Sequence, residues 1–379
     1  MPIDLKNIAL KIINLIKWRS MRLYKIISEG SVKLKVPEAK KVSKEMAVFY
    51  NPVMSLNRDV SILLLNSINK NNLQIADPLA ASGVRSIRFL KELNKNKIKR
   101  ICINDCNKDA VASIKQNLAL NKIQYKNNLK ITIRLEDANL FLLNSTGFDY
   151  IDIDPFGSPN PFLDSACKIL SRGGILAVTA TDTAALCGTS PKACIRKYWA
   201  MPKKDAIMHE TGLRILIRKI QLVAAQYGKA LIPIFSYSKE HYMRAFLQNN
   251  KGKNKADEIL KQHGYFDGAG PMWLGSLWDA RLCNAILNNA IKNKTLKNNK
   301  ELIDFLKIIK EESKIKTVGF CDLHDACKKR GINHPQKKKI LIQKINKSGY
   351  TASETHFKGE GIRSSMPLNA IIKILSKNK

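Results

Sequence analysis

At 379 residues the chain has the length of two or three domains. Its 45% hydrophobic and 25% charged shares are those of a folded globular protein, which excludes a wholly disordered one. A balance of 65 Lys+Arg against 31 Asp+Glu gives +34, a surface that attracts polyanions, nucleic acid first among them, because phosphate neutralisation drives such binding. Fifty of the cations are Lys, in a chain crowded with Asn and Ile; AT-rich coding alone would produce that bias, so charge leaves the partner open. No run of about 18 apolar residues occurs, which excludes a membrane-spanning helix. The eight cysteines include no pair at zinc-knuckle or dithiol spacing and read as reduced thiols in the cytoplasm.

Residues 1–28 read as an N-terminal extension. Ile8, Ile12, Leu15 and Ile16 share one helical face interrupted by Lys6, Lys11 and Lys17, which fits a packing helix, a membrane-surface helix, or a misassigned start before Met21. Residues 29–248 alternate strands and helices. Leu73–Asp77 predicts a strand, Pro78–Gly83 a turn and Val84–Leu93 a helix; Arg100–Asp105 and Lys108–Leu120 predict the next pair. Strands follow at Leu129–Leu135 and Phe148–Asp154, then a helix ending at Leu170, which Gly173 and Gly174 separate from a strand at Ile175–Thr179. This alternation predicts an α/β, Rossmann-like domain with a mostly parallel sheet. Residues 249–379 predict a smaller, basic and mainly helical C-terminal domain, entered through a solvated linker or loop tip at Asn249–Lys255. Helices over Asp322–Arg330, Gln336–Lys347 and Leu368–Lys377, with Tyr350–Ser365 strand-like, read either as a winged-helix module whose second helix carries Lys337, Lys338, Lys339 and Lys344, or as helices with an ordinary charged face.

Ligands of such sheets bind beyond the C-terminal strand ends, where Asp77, Asp105 and Asp154 fall. The turn Asp77–Gly83 lets backbone approach a nucleotide-like ligand, yet the G-x-G-x-x-G fingerprint is absent, which argues against NAD or FAD. Asp105 stands about 20 residues past Gly83, the place of a carboxylate that accepts from a ribose diol. A ribose-bearing cofactor without a pyrophosphate is S-adenosyl-L-methionine, and Asp137 is placed to accept from its adenine amine. In Asp154-Pro-Phe-Gly-Ser-Pro159, proline holds the preceding residue extended and an aromatic follows. A methyltransferase acting on an exocyclic amine needs that pair. The amine lone pair is delocalised into the ring, so an acceptor must hold the amine hydrogens while a flat side chain stacks on the base.

The chain resembles the tRNA (guanine-N2)-dimethyltransferases that act on guanine 26. The resemblance rests on Phe49-Tyr-Asn-Pro-Val-Met54, Asn57-Arg-Asp59, Ala81-Ser-Gly-Val-Arg85, Asn104-Asp105, Asp154–Pro159, Thr179–Ala184, Leu186-Cys-Gly188, Arg196-Lys-Tyr198, His209–Arg214, His241–Arg244 and Gly270–Trp273, in order along the chain. It implies that Arg58, Arg85 and Asp105 contact S-adenosyl-L-methionine, with Asp137 and Ala138 beside its adenine. It further implies that Asp154 is catalytic on guanine N2, that Phe49 and Phe156 stack on the base, and that the C-terminal domain grips tRNA.

Two departures from the family stand out. No cysteine lies between Cys194 and Cys283, so the zinc site of some members is expected to be absent. Cys321, His324, Cys327 and His334 match no zinc spacing, and no metal is expected. Glu354 occupies a place where arginine is usual, which removes a cation from a tRNA-facing loop. No obligate protein partner and no membrane are expected. The competing readings are an amino-methyltransferase acting on another RNA or on DNA, and an inactive nucleic-acid-binding protein.

Overall fold

A computed structural model of the chain describes residues 24–38, 46, 48–331 and 337–376. The amphipathic stretch Met1–Ser20 and His334 lie outside the described residues. Strands β1 (Tyr24–Glu29) and β2 (Val32–Pro37) form an antiparallel hairpin. In β2, Val32, Leu34 and Val36 point inward, and the side-chain amides of Asn117 and Asn121 pair with the backbone of Lys35 and Lys33. Helix α1 (Ser55–Ser67) is buried from Leu56 to Leu65, so both of its faces are covered and its polar residues Asn57, Arg58, Asp59 and Ser61 must find partners inside the fold.

The strands that follow are apolar runs covered on both sides, the pattern of parallel sheets. They are β3 (Leu73–Asp77), β4 (Ile98–Asn104), β5 (Ile131–Arg134), β6 (Phe148–Ile153) and β7 (Leu170–Ala180). Between them run α2 (Val84–Glu92), α3 (Lys108–Leu120), α4 (Ala138–Leu143) and α5 (Asn160–Ile169). Next come α6 (Thr183–Leu186), α7 (Pro191–Tyr198) and α8 (Met208–Ala225), then β8 (Lys229–Lys239) and β9 (Tyr242–Lys251). The seven-stranded sheet has the order β5-β4-β3-β6-β7-β9-β8, with β9 antiparallel to both neighbours. Most expected elements form within a residue or two of their predicted ends. Gly173 and Gly174, expected to precede a strand, lie inside β7. Its ladder with β6 shifts register between Leu170 and Ile175, so the glycines make a bulge rather than a break.

The expected linker at Asn249–Lys255 is not one. It closes β9 and opens α9 (Lys253–Leu260), because β9 extends to pair Lys251 with Lys229. A small hairpin of β10 (His263–Phe266) and β11 (Ala269–Trp273) and the helices α10 (Ala280–Lys292) and α11 (Lys300–Glu312) come next. Ile286, Leu302 and Ile309 join the same hydrophobic core as the sheet, so the large core does not end at residue 249. A second core gathers Leu323, Leu341, Ile345, Ile362 and Ile371. It is built from β12 (Cys321–Asp322), α12 (Leu323–Arg330), α13 (Lys338–Lys347), β13 (Ala352–Thr355), β14 (Lys358–Ser364) and α14 (Leu368–Ser376), with sheet order β12-β14-β13. A buried ion chain ties the two cores together. Arg363 pairs with Glu210 of α8 at 2.5 Å and with Glu312 of α11 at 3.0 Å, and Glu312 also holds His356. All three of Glu210, Glu312 and Arg363 are essentially inaccessible.

Candidate active site

Strand order reverses at β3: β4 and β5 lie on one side, β6 and β7 on the other. The crevice beyond such a switch point is where an open α/β sheet takes its ligand, and the three strand-end carboxylates meet this edge on different terms. Asp77 is buried, accepts from Ser86 Oγ at 2.7 Å and faces inward; burial raises its carboxyl to about 7. Asp105 is half-buried and supports the turn after β3. Its Oδ2 accepts from Ala81 N at 2.8 Å and its Oδ1 from Asn107 N at 2.9 Å. A carboxylate has about four lone-pair sites, so two remain for hydroxyls.

The turn itself needs left-handed backbone at Ala81 (φ 49°) and Gly83 (φ 76°). A Cβ on Gly83 would come 3.0 Å from Ile114 Cγ1, so glycine keeps α2 and α3 close. Asn104 staples this turn to the loop after β5, donating to Pro78 O and Glu136 O at 3.1 and 3.0 Å. That loop presents Asp137, exposed, whose Oδ1 caps α4 through Asn139 N and Leu140 N, and Ala138, which is buried.

Arg58, expected at the cofactor, is engaged by the chain itself. Its guanidinium is buried and bonds Glu29 at 2.6 and 2.5 Å and Asn51 O at 3.0 Å, with the Tyr50 ring against it at 5.4 Å. The neighbouring residue Phe49 is thereby held at the mouth. Its ring centroid is 4.2 Å from that of Phe156, at 71°, and Phe156 is half-exposed. Edge-to-face pairs of this kind are attractive and leave a ring face open.

Asp154, immediately after β6, accepts from Arg85 Nη2, and its side chain is 23% exposed. Arg85 is buried; its Nη1 also bonds Asn57 Oδ1 at 3.0 Å and Ser61 Oγ at 3.1 Å and lies 3.3 Å from Asp152. The structure therefore brings Arg85 and Asp154 together, a pairing sequence spacing did not suggest. Behind them is a group that the sequence reading passed over. Asp152, fully buried, takes both Arg244 nitrogens at 2.9 and 2.7 Å and the Tyr150 hydroxyl at 2.6 Å. Burial alone would raise Asp152, but the charges of Arg244 and Arg85 outweigh it and hold the carboxyl below its ordinary value. A signal was present: Asp152 is a charge in the middle of a buried strand, on the face of Asp154, and such a charge demands a partner. The loop after Asp154 is tied down by Gly157, which exchanges bonds with Thr181 at 2.7 and 2.9 Å.

The arrangement can bind a ribose and adenine at Asp105–Ala138 and can hold an amine against a buttressed carboxylate beside the Phe49–Phe156 pair. A separate cavity of about 860 Å³ opens beside α14, near Phe266, Phe320 and Ile371, and none of Asp77, Asp105 and Asp154 lines it.

A seven-stranded sheet with one reversed strand, a ribose-type acid without a pyrophosphate loop, and an acceptor flanked by aromatic rings define a Rossmann-like methyltransferase. Within that class the chain belongs to the family described as TRM: N2,N2-dimethylguanosine tRNA methyltransferase, matched over residues 30–268 and 263–376. It is 38% identical over 383 residues to the tRNA (guanine(26)-N(2)/guanine(27)-N(2))-dimethyltransferase of Aquifex aeolicus, covering 92% of this chain and 95% of the relative. It is 37% identical to the tRNA (guanine(26)-N(2))-dimethyltransferase of Pyrococcus furiosus, covering 95% and 100%. Among solved structures it is similar to the complex of Trm1 from Pyrococcus horikoshii with S-adenosyl-L-methionine, at 35% identity and a TM-score of 0.83, over 92% of this chain and 99% of that one.

Proposed function

We propose that this chain places one methyl group and then a second on N2 of guanine 26 in tRNA, using S-adenosyl-L-methionine. The observation that carries the reading is Asp154: a carboxylate at the C-terminal end of β6, buttressed by Arg85 and partly open, beside the Phe49–Phe156 pair. The relatives' activities and the ligand of the similar solved structure support it.

The cofactor fits the residues present. Asp105 keeps lone pairs for a ribose diol, Gly83 clears the approach, and Asp137 and Ala138 flank the space for adenine. Arg85 and Arg58 act through the carboxylates that they hold. When bound, the cofactor supplies an electrophilic methyl on sulfur. Asp154 accepts from the N2 amine, which localises its lone pair toward that carbon, and receives the proton that N2 gives up on methylation, while Phe49 and Phe156 hold the base flat and exclude water. No covalent intermediate with the chain is required, so catalysis rests on alignment and a preorganised acceptor.

The C-terminal part is the tRNA grip in this reading. A helix, a short strand, two helices and a hairpin, with the sheet order β12-β14-β13, fit a winged-helix module. Lys337 is exposed at the N-cap of α13 and Lys339 on the helix itself, while Lys338 is paired with Glu354 at 3.1 Å. The unusual Glu354 thus both lacks a cation and neutralises one. The cytoplasm is the compartment we propose; among the described residues no helix is long and apolar enough to cross a membrane.

The test is incubation with unmodified tRNA transcript and labelled cofactor, with the altered nucleoside mapped by mass spectrometry. Product at guanine 26 supports the reading, and product only on DNA or another RNA refutes it. Mapping also tells position 26 alone from 26 and 27 together. Asp154→Ala should lower transfer by about 10²–10⁴-fold and spare cofactor affinity by calorimetry. Near-normal turnover would remove Asp154 from the reaction. Asp105→Ala should instead weaken cofactor binding.

A further inference from the structure

The chain leaves α7 through Trp199, whose φ of 55° and ψ of 43° put a bulky residue in left-handed backbone. Its surroundings hold it there. Trp199 N donates to Ile195 O at 3.0 Å, Trp199 O accepts from Arg218 Nη1 at 3.2 Å, and Met201 exchanges two backbone bonds with Gly270 at 2.7 and 2.8 Å. Backbone of this kind persists only where the fold over-determines it, and it concentrates at functional positions. The outcome is a tryptophan 56% exposed, with Ile195 and Met201 also exposed beside it in sequence.

Underneath the indole lies Lys219. Its Nζ is 2.9 Å from the ring centroid, the residue is 6% exposed, and it makes no hydrogen bond or ion pair among the described residues. Burial first, and Arg218 second, pull this ammonium down to about 8. An ammonium against one face fixes the ring and draws on its π density, while the other face is left to solvent. A second ring stands on the other side of the Met201–Gly270 bridge: Tyr265, 70% exposed on β10, lies against Gly270, where an added Cβ would come 3.2 Å from Tyr265 Cδ1. Lys192, Arg196, Lys197 and Lys204 are exposed on the same stretch of chain. Rings set among cations are how proteins hold unpaired nucleotides.

The patch is also anchored to the reaction site. Tyr198, directly before Trp199, shares a hydrogen bond with Ser158 Oγ at 2.9 Å, and Asn160 Nδ2 donates to Lys197 O at 2.7 Å. Ser158 belongs to the loop that carries Asp154 and Phe156, and Asn160 opens α5 directly after it. We infer that Trp199, with Tyr265, is a stacking platform for an unpaired base of the RNA substrate near the target guanine, set at a fixed offset from Asp154 by the Tyr198–Ser158 contact. This inference rests on the tRNA reading above and adds the residue that grips the strand.

The experiment uses the full chain with Trp199→Asn, a residue that tolerates the left-handed backbone, and separately Tyr265→Ala on the exposed hairpin. Affinity for tRNA transcript is measured by fluorescence anisotropy, independently of methyl transfer and of cofactor affinity. Trp199→Asn should weaken tRNA binding and raise KM for tRNA roughly tenfold, with kcat at saturating tRNA within about twofold and cofactor affinity unchanged; Trp199→Phe should recover most of the loss. Unchanged tRNA affinity in Trp199→Asn, with methyl transfer intact in the parent chain, overturns the platform and leaves the proposed function standing. Weakened RNA binding in a chain that transfers no methyl has the opposite meaning. A change of oligomeric state on substitution, with RNA affinity unchanged, overturns the platform in favour of a protein contact.

Discussion

Arg244→Met tests how Asp154, the carboxylate proposed to act on the amine, is held. Arg244 is fully buried and gives both terminal nitrogens to Asp152. Removing one partner of a buried pair costs ~3–5 kcal/mol because the other charge is stranded. Asp152 still keeps Arg85 at 3.3 Å and the Tyr150 hydroxyl at 2.6 Å, so the lower figure, about 3 kcal/mol, is expected. That is a large part of a domain's usual stability, ~5–15 kcal/mol. The consequence for chemistry follows from sharing. Arg85 stands between Asp152 and Asp154, and a stranded Asp152 draws the guanidinium toward itself and loosens Asp154. Denaturant unfolding should show the lost stability, and single-turnover transfer on tRNA transcript should slow, with cofactor affinity intact. The double variant Asp152→Asn with Arg244→Met leaves no stranded charge and returns Arg85 to Asp154, so transfer should recover. A stability loss at unchanged single-turnover rate, or a double variant no faster than Arg244→Met, refutes this coupling.

The raised Asp77 carboxyl predicts a pH effect. Its folded pKa of about 7 lies above the ordinary value of 3.8, so below pH ~4 the group is neutral in both states and costs nothing. Between there and pH 7 the unfolded chain ionises first and stability falls, by roughly 4 kcal/mol at most. Asp77→Asn should therefore match the parent at pH 4 and exceed it at pH 8 in unfolding midpoint; an equal effect at both pH values refutes the assignment. Arg363→Met strands Glu312 beside His356 and weakens the tie between the two cores. Limited proteolysis between residues 313 and 320 should speed up, and an unchanged cleavage rate would deny the ion chain that role.

The legible part of the fold was its alternation. Leu73–Asp77 and Lys108–Leu120 form at their expected bounds because apolar runs ended by turn residues leave few other ways to satisfy the backbone. Gly173 and Gly174 misled because a glycine pair marks a break or a bulge alike, and only the register with β6 tells them apart. Asn249–Lys255 read as solvated from its composition. Ladder pairing with β8 imposes a strand on Asn249–Lys251 all the same, because this end of β9 runs past its last β7 partner at Gln248 and leaves Asn250 and Lys251 facing water.

Strand ends, turn chemistry and the order of short motifs were written in the chain, so Asp105, Asp154 and Phe156 could be named before any coordinates. The partners of buried charges could not. Arg85 meets Asp154 across 69 positions, Arg244 meets Asp152 across 92, and Arg363 meets Glu210 across 153. Local periodicity reports which way a side chain faces, whereas which opposite charge waits there depends on sheet order and on how the helices close over it. The energy that selects those pairs, the avoidance of an unpaired charge in a dry interior, exists only once the tertiary fold has removed the water.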